Sequence, residues 1–367
     1  MKEEQLLYTL ALQHVNKVGD ILGKRLLQHF GSAASIFKAT KSQLIAIEGI
    51  GELTATALKH SSHIKAAEDE LRFIQDNHIR YSYYTDEDYP THLKHCVDGP
   101  ILLFHSGTIN LRPDRVISIV GTRKVTPAGK YFCEKLIEEL VPLDPIIVSG
   151  FAYGVDIVAQ RAAIRYGLQT IGCLAHGFDQ IYPKAHQRYV ADVERNGGFF
   201  TDFWSSHTFD RNNFLKRNRI IAGISEATVV IESAEKGGSL VTADIAHSYN
   251  RDVFAVPGRP DDTYSVGCNN LIKQQKAHVL TSAADLVYML NWQVDADRKP
   301  AIQKQLFITL DDEEKKIFKC LKESGKELLD VIAIGCDLPV HVVATKLLSM
   351  EMKGLVRPLP GKLFELI

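Results

Sequence analysis

VISIVGTRKVTPAGKYFCEKLIEELVPLDPIIVSG, residues 116–150, is the stretch whose reading decides the fold. Val116 to Val120, four apolar β-branched residues around Ser118, read as a buried strand. A short glycine loop follows, then the helical pattern GKYFCEKLIEEL from about Pro127, then a second apolar run, PIIVSG at 145–150. Strand, helix and strand in that order make a crossover unit, which pairs its two strands in parallel. Outward from it the unit repeats. TIGCLA (170–175), GGFFTDF (197–203), ATVVIES (227–233) and DVFAVPG (252–258) are further strand runs. VDIVAQRAAIRYG, AHQRYVADVERNG and LVTADIAHSYN lie between them with helical spacing. Residues 79–290 are therefore expected to form an α/β domain, a doubly wound and mostly parallel sheet with helices on both faces. In such sheets ligands bind outside the carboxyl ends of the strands.

The loops at those ends are rich in Gly and Ser. VISIV runs into Gly121-Thr122-Arg123-Lys124, where a glycine permits close backbone approach. Thr122 and the helix N-terminus offer donors, and Arg123 a planar fork, to a phosphate. The loop is neither G-x-G-x-x-G nor G-x-x-x-x-G-K-[ST], so neither a dinucleotide site nor Walker-type ATP hydrolysis is indicated. PIIV is followed by Ser149-Gly150-Phe151-Ala152-Tyr153-Gly154-Val155-Asp156, with Asp156 placed to cap the next helix. His176-Gly177-Phe178-Asp179 and then Ile181-Tyr182-Pro183-Lys184 follow TIGCLA. Lys236-Gly237-Gly238-Ser239-Leu240-Val241-Thr242 follows ATVVIES and makes a further anion cradle. Together these loops predict a rim that binds a polyanion.

A cationic cluster stands beside them. Arg211 to Gly223 reads R-N-N-F-L-K-R-N-R-I-I-A-G, so Arg211, Lys216, Arg217 and Arg219 fall within nine residues, with Phe214 and Asn218 among them. The formal net charge is −1, so the cluster is local and not a by-product of a basic composition. Cations spaced for successive phosphates and a flat ring for a base are the makings of a single-strand nucleic-acid site. A solvated helix start has a similar composition, and the neighbouring glycine loops favour the binding reading.

The flanks differ in character. Residues 1–78 read as a helical, helix-hairpin-helix-like (SAM-like) domain with turns at Lys17-Val18-Gly19-Asp20 and Glu48-Gly49-Ile50-Gly51-Glu52. The acids beside both turns argue against a phosphate there. Residues 291–305 read as a linker. Residues 306–367 read as a winged helix: Thr309 before an acidic first turn, helices through Ile317 and Leu321, near 328–334 and over 340–353, then two strands around Pro360-Gly361. That segment has nine basic and ten acidic residues, which does not support DNA reading by charge. Six scattered cysteines without a C-x-x-C suit reduced thiols in a cytoplasm. No 18-residue apolar run predicts a membrane span. His92, His95 and Cys96 lack a second ligand pair at zinc spacing, so no metal and no cofactor is expected.

The ordered motifs V-G-T-R, S-G-x-A-x-G-x-D, G-x-D-x-x-Y-P, F-x-x-R-N-R-I-I-A-G, G-S-L-x-T-A and F-A-V-P-G with S-x-G-x-N-x-L-I resemble the DNA-processing protein DprA (Smf) family over roughly 80–290. The resemblance implies an extended Rossmann-like domain that binds single-stranded DNA without sequence preference, forms a homodimer and loads the RecA recombinase in natural transformation. It implies no catalytic residue. By motif, Arg123 would hold phosphate beside Gly121, Thr122 and Lys124. Arg211 and Phe214 would supply a charge and a stacking ring, with Lys216, Arg217, Asn218 and Arg219 close by. Ser149, Gly150, Lys184, Gly237, Gly238, Ser239 and Thr242 would complete the DNA-binding set. Two departures are visible: Leu215 where the family has Pro, and His186 where Y-P-x-x-N has Asn. The alternative is a nucleotide-binding or N-glycosidic-bond-cleaving Rossmann enzyme. Such enzymes carry P-G-G-x-G-T-x-x-E, whereas residues 236–244 lack the G-T-x-x-E pattern and offer only Asp244.

Overall fold

The computed structural model describes residues 3–111, 115–207, 210–293, 310–353, 355–359 and 363–366. The chain divides into two compact units between 294 and 295. The first opens with six helices, α1 (Glu3–His14), α2 (Asp20–Phe30), α3 (Ala33–Lys38), α4 (Lys41–Ile45), α5 (Glu52–Leu58) and α6 (Ser62–Asp76). The sheet region follows as β1 (Arg80–Tyr83), α7 (Thr91–Lys94), β2 (Leu102–Gly107), β3 (Val116–Val120), α8 (Pro127–Leu140), β4 (Ile146–Ser149), α9 (Val155–Arg165) and β5 (Thr170–Cys173). It continues through α10 (Val190–Arg195), β6 (Gly197–Thr201), α11 (Arg211–Ile224), β7 (Ala227–Val230), α12 (Gly238–Ser248), β8 (Asp252–Ala255), α13 (Val266–Lys273), β9 (His278–Val279) and α14 (Ala283–Met289).

Nine strands form one sheet in the order β1-β2-β6-β5-β4-β3-β7-β8-β9. Every pair from β6 to β9 is parallel, and β1 and β2 add an antiparallel edge. The six strands read from the sequence are all present and parallel. β1, β2 and β9 were not among them. β1 is short and polar (RYSY) and β9 has two residues, so neither carries an apolar run.

Alternation along β3 sorts the layers, as the two-residue period of a strand requires. Val116 and Val120 join Ile220 of α11, Ala243 of α12 and Leu271 of α13 on one face. Ile117 and Ile119 join Leu136 of α8, Ala159 of α9 and Leu286 of α14 on the other. The fold is thus a mostly parallel α/β sheet, doubly wound. The N-terminal helices share a core with its edge: Leu10, Leu26 and Leu58 pack in one cluster with Leu102, Phe104 and Trp204.

The second unit contains α15 (Asp312–Ser324), β10 (Lys326–Leu328), α16 (Leu329–Cys336), α17 (Val340–Met352), β11 (Val356–Leu359) and β12 (Leu363–Leu366), with strand order β10-β12-β11. Asp311 caps α15 and forms a capping box with Glu314. Thr309, the linker residues 294–305 and the Pro360-Gly361 turn lie outside the described residues. Among the described residues no single helix is long and apolar enough to cross a membrane.

Candidate nucleic-acid interface

β3 leads to β4, β5 and β6 on one side, and the chain then returns to β7 and β8 on the other. The switch point of the winding therefore lies between β3 and β7, and a crevice at their carboxyl ends follows from the topology. A cavity of about 410 Å³ opens there. Gly121, Thr122 and Arg123 wall it from β3, Gly237, Gly238, Ser239 and Thr242 from β7 and α12, and Arg211, Phe214 and Asn218 from α11. Loops separated by more than a hundred residues thus share one site.

Each loop is held by specific contacts. A Cβ on Gly121 would lie 2.5 Å from Val155 Cγ2, so only glycine lets β3 end this close to α9. Thr122 N donates to Glu232 O at 2.7 Å, and Thr122 Oγ1 accepts from Lys124 N at 3.1 Å. The α8 N-terminus is unavailable to a phosphate, contrary to the sequence reading. The buried Glu232 carboxylate already sits on it, accepting from Thr126 N at 2.9 Å and from the Thr126 hydroxyl. The α12 N-terminus is different: Gly237 is its N-cap, with no side-chain cap. Its uncapped end faces the cavity and favours an anion. Asp156 does not cap α9 either. Its Oδ2 accepts from Gly150 N at 3.1 Å and from Ala152 N at 3.4 Å, and fixes the turn after β4.

The four cations of α11 separate. Arg211 and Lys216 are exposed, whereas Arg217 is buried in the cavity floor. Arg217 donates to Gly150 O at 2.6 Å and to Cys173 O, and lies beside Asp156. Burial pushes the Asp156 carboxyl up, and Arg217 works against that shift. Arg219 is withdrawn from the DNA-contact set. It points to the opposite side of α11, bonded to Asp20 at 2.8 Å and Asp202 at 2.5 Å. Burial works to lower its pKa, but the two carboxylates hold it well above the usual guanidinium range. Ser149 and Gly150 are also corrected: both are buried, and Ser149 Oγ donates to Ile119 O at 2.7 Å. Gly150 instead makes room for Arg217, since a Cβ there would lie 2.6 Å from Arg217 Nη1 and from Asp156 Oδ2.

Phe214 is half-buried, its ring 5.7 Å from Tyr182 and edge-on to it. The Arg123 guanidinium lies 5.1 Å from its centroid and that of Arg217 5.8 Å, both within cation–π range. Among the lining residues three cations, Arg123, Arg211 and Arg217, face one carboxylate, Asp156, so the cavity is net positive. Lys124 and Lys184 are exposed outside it, Lys184 in an adjoining depression that includes Tyr182. His186, at the position of the family's Asn, is buried and hydrogen-bonded to Phe151 O at 2.9 Å. A larger depression, about 710 Å³, lies across α11 against α1 and α2. Its Arg219 is neutralised by Asp20 and Asp202, and it carries no comparable excess of cations.

Comparison with known proteins decides the family. Residues 80–291 match the family model described as DNA recombination-mediator protein A, and residues 303–362 match the DprA winged helix domain. The chain belongs to the DprA/Smf family. It is 29% identical to Protein Smf of Synechocystis over the whole of both chains. It is 30% identical to the putative DNA processing protein DprA of Mycobacterium tuberculosis, over 82% of this chain and 80% of that one. The X-ray structure of DprA from Streptococcus pneumoniae superposes with a TM-score of 0.66 at 27% identity, covering 78% of this chain and 98% of that one. DNA processing protein A from Helicobacter pylori, described as having a unique single-stranded DNA binding mode, gives a TM-score of 0.52 at 28% identity over 58% and 97%. The Rossmann-like DprA fold and the C-terminal winged helix expected from the motifs are thereby established.

Proposed function

We propose that the chain binds single-stranded DNA, without sequence preference, in the cavity at the β3–β7 switch point. The observation that carries this reading is the Phe214 ring lying beside the Arg123 guanidinium at the mouth of a net-positive cavity. Arg123 and Arg211 meet phosphates, the α12 N-terminus accepts one, and Phe214 stacks a base once the strand displaces the Arg123 contact. A duplex hides its base faces, so it gains only the phosphate terms. The similarity to the Helicobacter pylori protein supports the same ligand class. As the family resemblance implies, the bound strand is handed to the RecA recombinase by a homodimer in the cytoplasm, with no catalytic residue and no cofactor. A nucleotide-cleaving role is disfavoured by geometry. Asp244 is exposed, paired with Lys276 at 2.8 Å and absent from the cavity wall, while the carboxylate that lines the cavity, Asp156, is committed to the β4 turn and Arg217.

The test is a fluorescence-anisotropy titration against labelled single- and double-stranded oligonucleotides at two salt concentrations. Single strands are expected to bind more tightly, with a log–log salt slope of about −0.7 per neutralised phosphate. Equal affinity for both forms, or no salt dependence, overturns the reading.

A further inference from the structure

The cavity wall includes Ala152 but not the next residue, Tyr153, which is 44% exposed. The backbone that presents Tyr153 is fixed on both sides. Phe151 stands at φ +56°, a left-handed conformation costly for a residue with a side chain. It is held there by full burial and by the hydrogen bond of its carbonyl to His186 Nδ1. Gly154 follows at φ +80°, and a Cβ there would lie 2.1 Å from Thr122 O and 2.6 Å from Arg123 Cα. The segment carrying Tyr153 is thus pressed against the backbone of the Arg123 loop.

The Tyr153 ring packs against one other ring among the described residues. His186 meets it edge-on, with centroids 4.9 Å apart and planes at 70°. His186 is itself buried, and its other neighbours are Phe151 at 5.3 Å and Tyr189 at 6.0 Å. Beyond lie two exposed cations over the Tyr189 ring, Arg161 at 5.2 Å and Arg188 at 4.8 Å. Neither has a carboxylate partner among the described residues. Rings and cations therefore run outward from the Arg123 loop: Tyr153, His186, Tyr189, Arg161 and Arg188. An exposed aromatic on a rigid backbone, with unneutralised cations beyond it, has the elements of a single-strand track.

We infer that Tyr153 is a second base-stacking platform, receiving the nucleotide that leaves the cavity past Arg123, with Arg161 and Arg188 taking the phosphates beyond. This rests on the single-strand reading of the cavity. The platform would set how long a strand the chain engages.

The test is a series of oligothymidylates of increasing length, titrated by anisotropy against the full chain, Tyr153→Ala, Tyr153→Phe and Phe214→Ala. The full chain is expected to gain affinity beyond the length that fills the cavity. Tyr153→Ala should lose roughly 5- to 150-fold on the longer strands, the range for one stacked base, and nothing on the shortest strand bound. Tyr153→Phe, which keeps the ring, should bind as the full chain does. An unchanged length series in Tyr153→Ala, or an equal loss at every length, overturns the second platform. If Tyr153→Ala is unchanged while Phe214→Ala has lost affinity, the cavity reading survives and the extension falls. If neither variant loses affinity, the cavity reading has failed as well.

Discussion

Replacing Arg219 separates a structural cation from a DNA-binding one. Its guanidinium joins three elements: Asp20 at the start of α2, Asp202 just after β6, and the Asp98 carbonyl before β2. The side chains of Arg219, Asp20 and Asp202 are 17%, 15% and 9% exposed, so this network is largely out of water. Arg219→Met keeps the apolar stem and removes the charge. Asp202 then loses its ion-pair partner and faces Asp20, which keeps only the weaker influence of Lys24 nearby, and breaking a buried pair in this way costs about 3–5 kcal/mol. For a unit this large, that is a fall in Tm of about 5–10 °C.

The loss has a definite pH dependence. Burial already raises the Asp202 carboxyl above its ordinary range, and Arg219 is the main opposing influence. Removing Arg219 pushes the group further up. A carboxyl with a raised folded-state pKa binds its proton more tightly in the folded chain, so stability falls as pH rises from the ordinary carboxylate range through the raised value. The deficit of Arg219→Met should therefore be largest near pH 8 and shrink as the pH falls below the variant's raised pKa. Thermal unfolding of both proteins at several pH values measures this, and anisotropy on the folded variant should show single-strand affinity within about two-fold of the parent. A large loss of DNA affinity with an unchanged Tm would refute the structural assignment and return Arg219 to the DNA path.

Three further outcomes are expected. Phe214→Ala should cost about 1–3 kcal/mol of single-strand binding, with a stability loss below the roughly 3–5 kcal/mol of a core Phe, because the ring is half-buried; anisotropy and thermal unfolding on one preparation read both. Gly150→Ala places a methyl 2.6 Å from Arg217 Nη1 and Asp156 Oδ2, and overpacking of this kind costs about 1–3 kcal/mol in a urea melt, with the cavity floor displaced and DNA affinity reduced. Ending the chain at Val294 should leave single-strand affinity within a few-fold, because residues 306–367 carry nine basic against ten acidic residues and so no excess of positive charge; loss of all binding by a folded truncation would make that unit the reader.

The parallel core was legible because each of its strands is an apolar run closed by a Gly or Ser loop. VISIV divides cleanly into Val116 and Val120 against Ile117 and Ile119, one pair per helix layer. The crevice at the switch point follows from the order of such units. The edge was not legible. β1 gains its burial from pairing with β2 and from the N-terminal helices, and nothing in four residues of mixed polarity announces either. Occupancy was equally hidden. Glu232 follows β7 in sequence but lies on the N-terminus of α8, 106 residues earlier. A helix start that reads as an anion site was filled by the protein's own carboxylate, a contact that only the tertiary fold creates.

The α11 cations were partly legible, and the spacing that separates them was already present. Residues on a helix advance by about 100° each, so positions three or four apart share a face and positions two apart do not. Phe214, Asn218 and Ile221 line the switch-point cavity together with Arg217. Lys216 and Arg219, three apart, line the depression on the other side. Leu215 borders both. A run of four cations in nine residues therefore divides between two faces once it is helical. The Asp210 side chain accepts from Asn212 N at 2.9 Å and begins the helix there, which sets the phase. With that phase, Arg217 reaches the β4 and β5 carbonyls and shapes the cavity from below, and Arg219 ties the N-terminal helices to the sheet. The α11 cation left for a phosphate in the cavity is the exposed Arg211, with Arg123 and Lys124 across the crevice, while Lys216 is exposed on the other face. One helix thus joins the site to the scaffold: the residues that bind DNA in this proposal stand one turn or less from those that hold the helix in place. Substitutions along it should alternate between losses of affinity and losses of stability with the helical period.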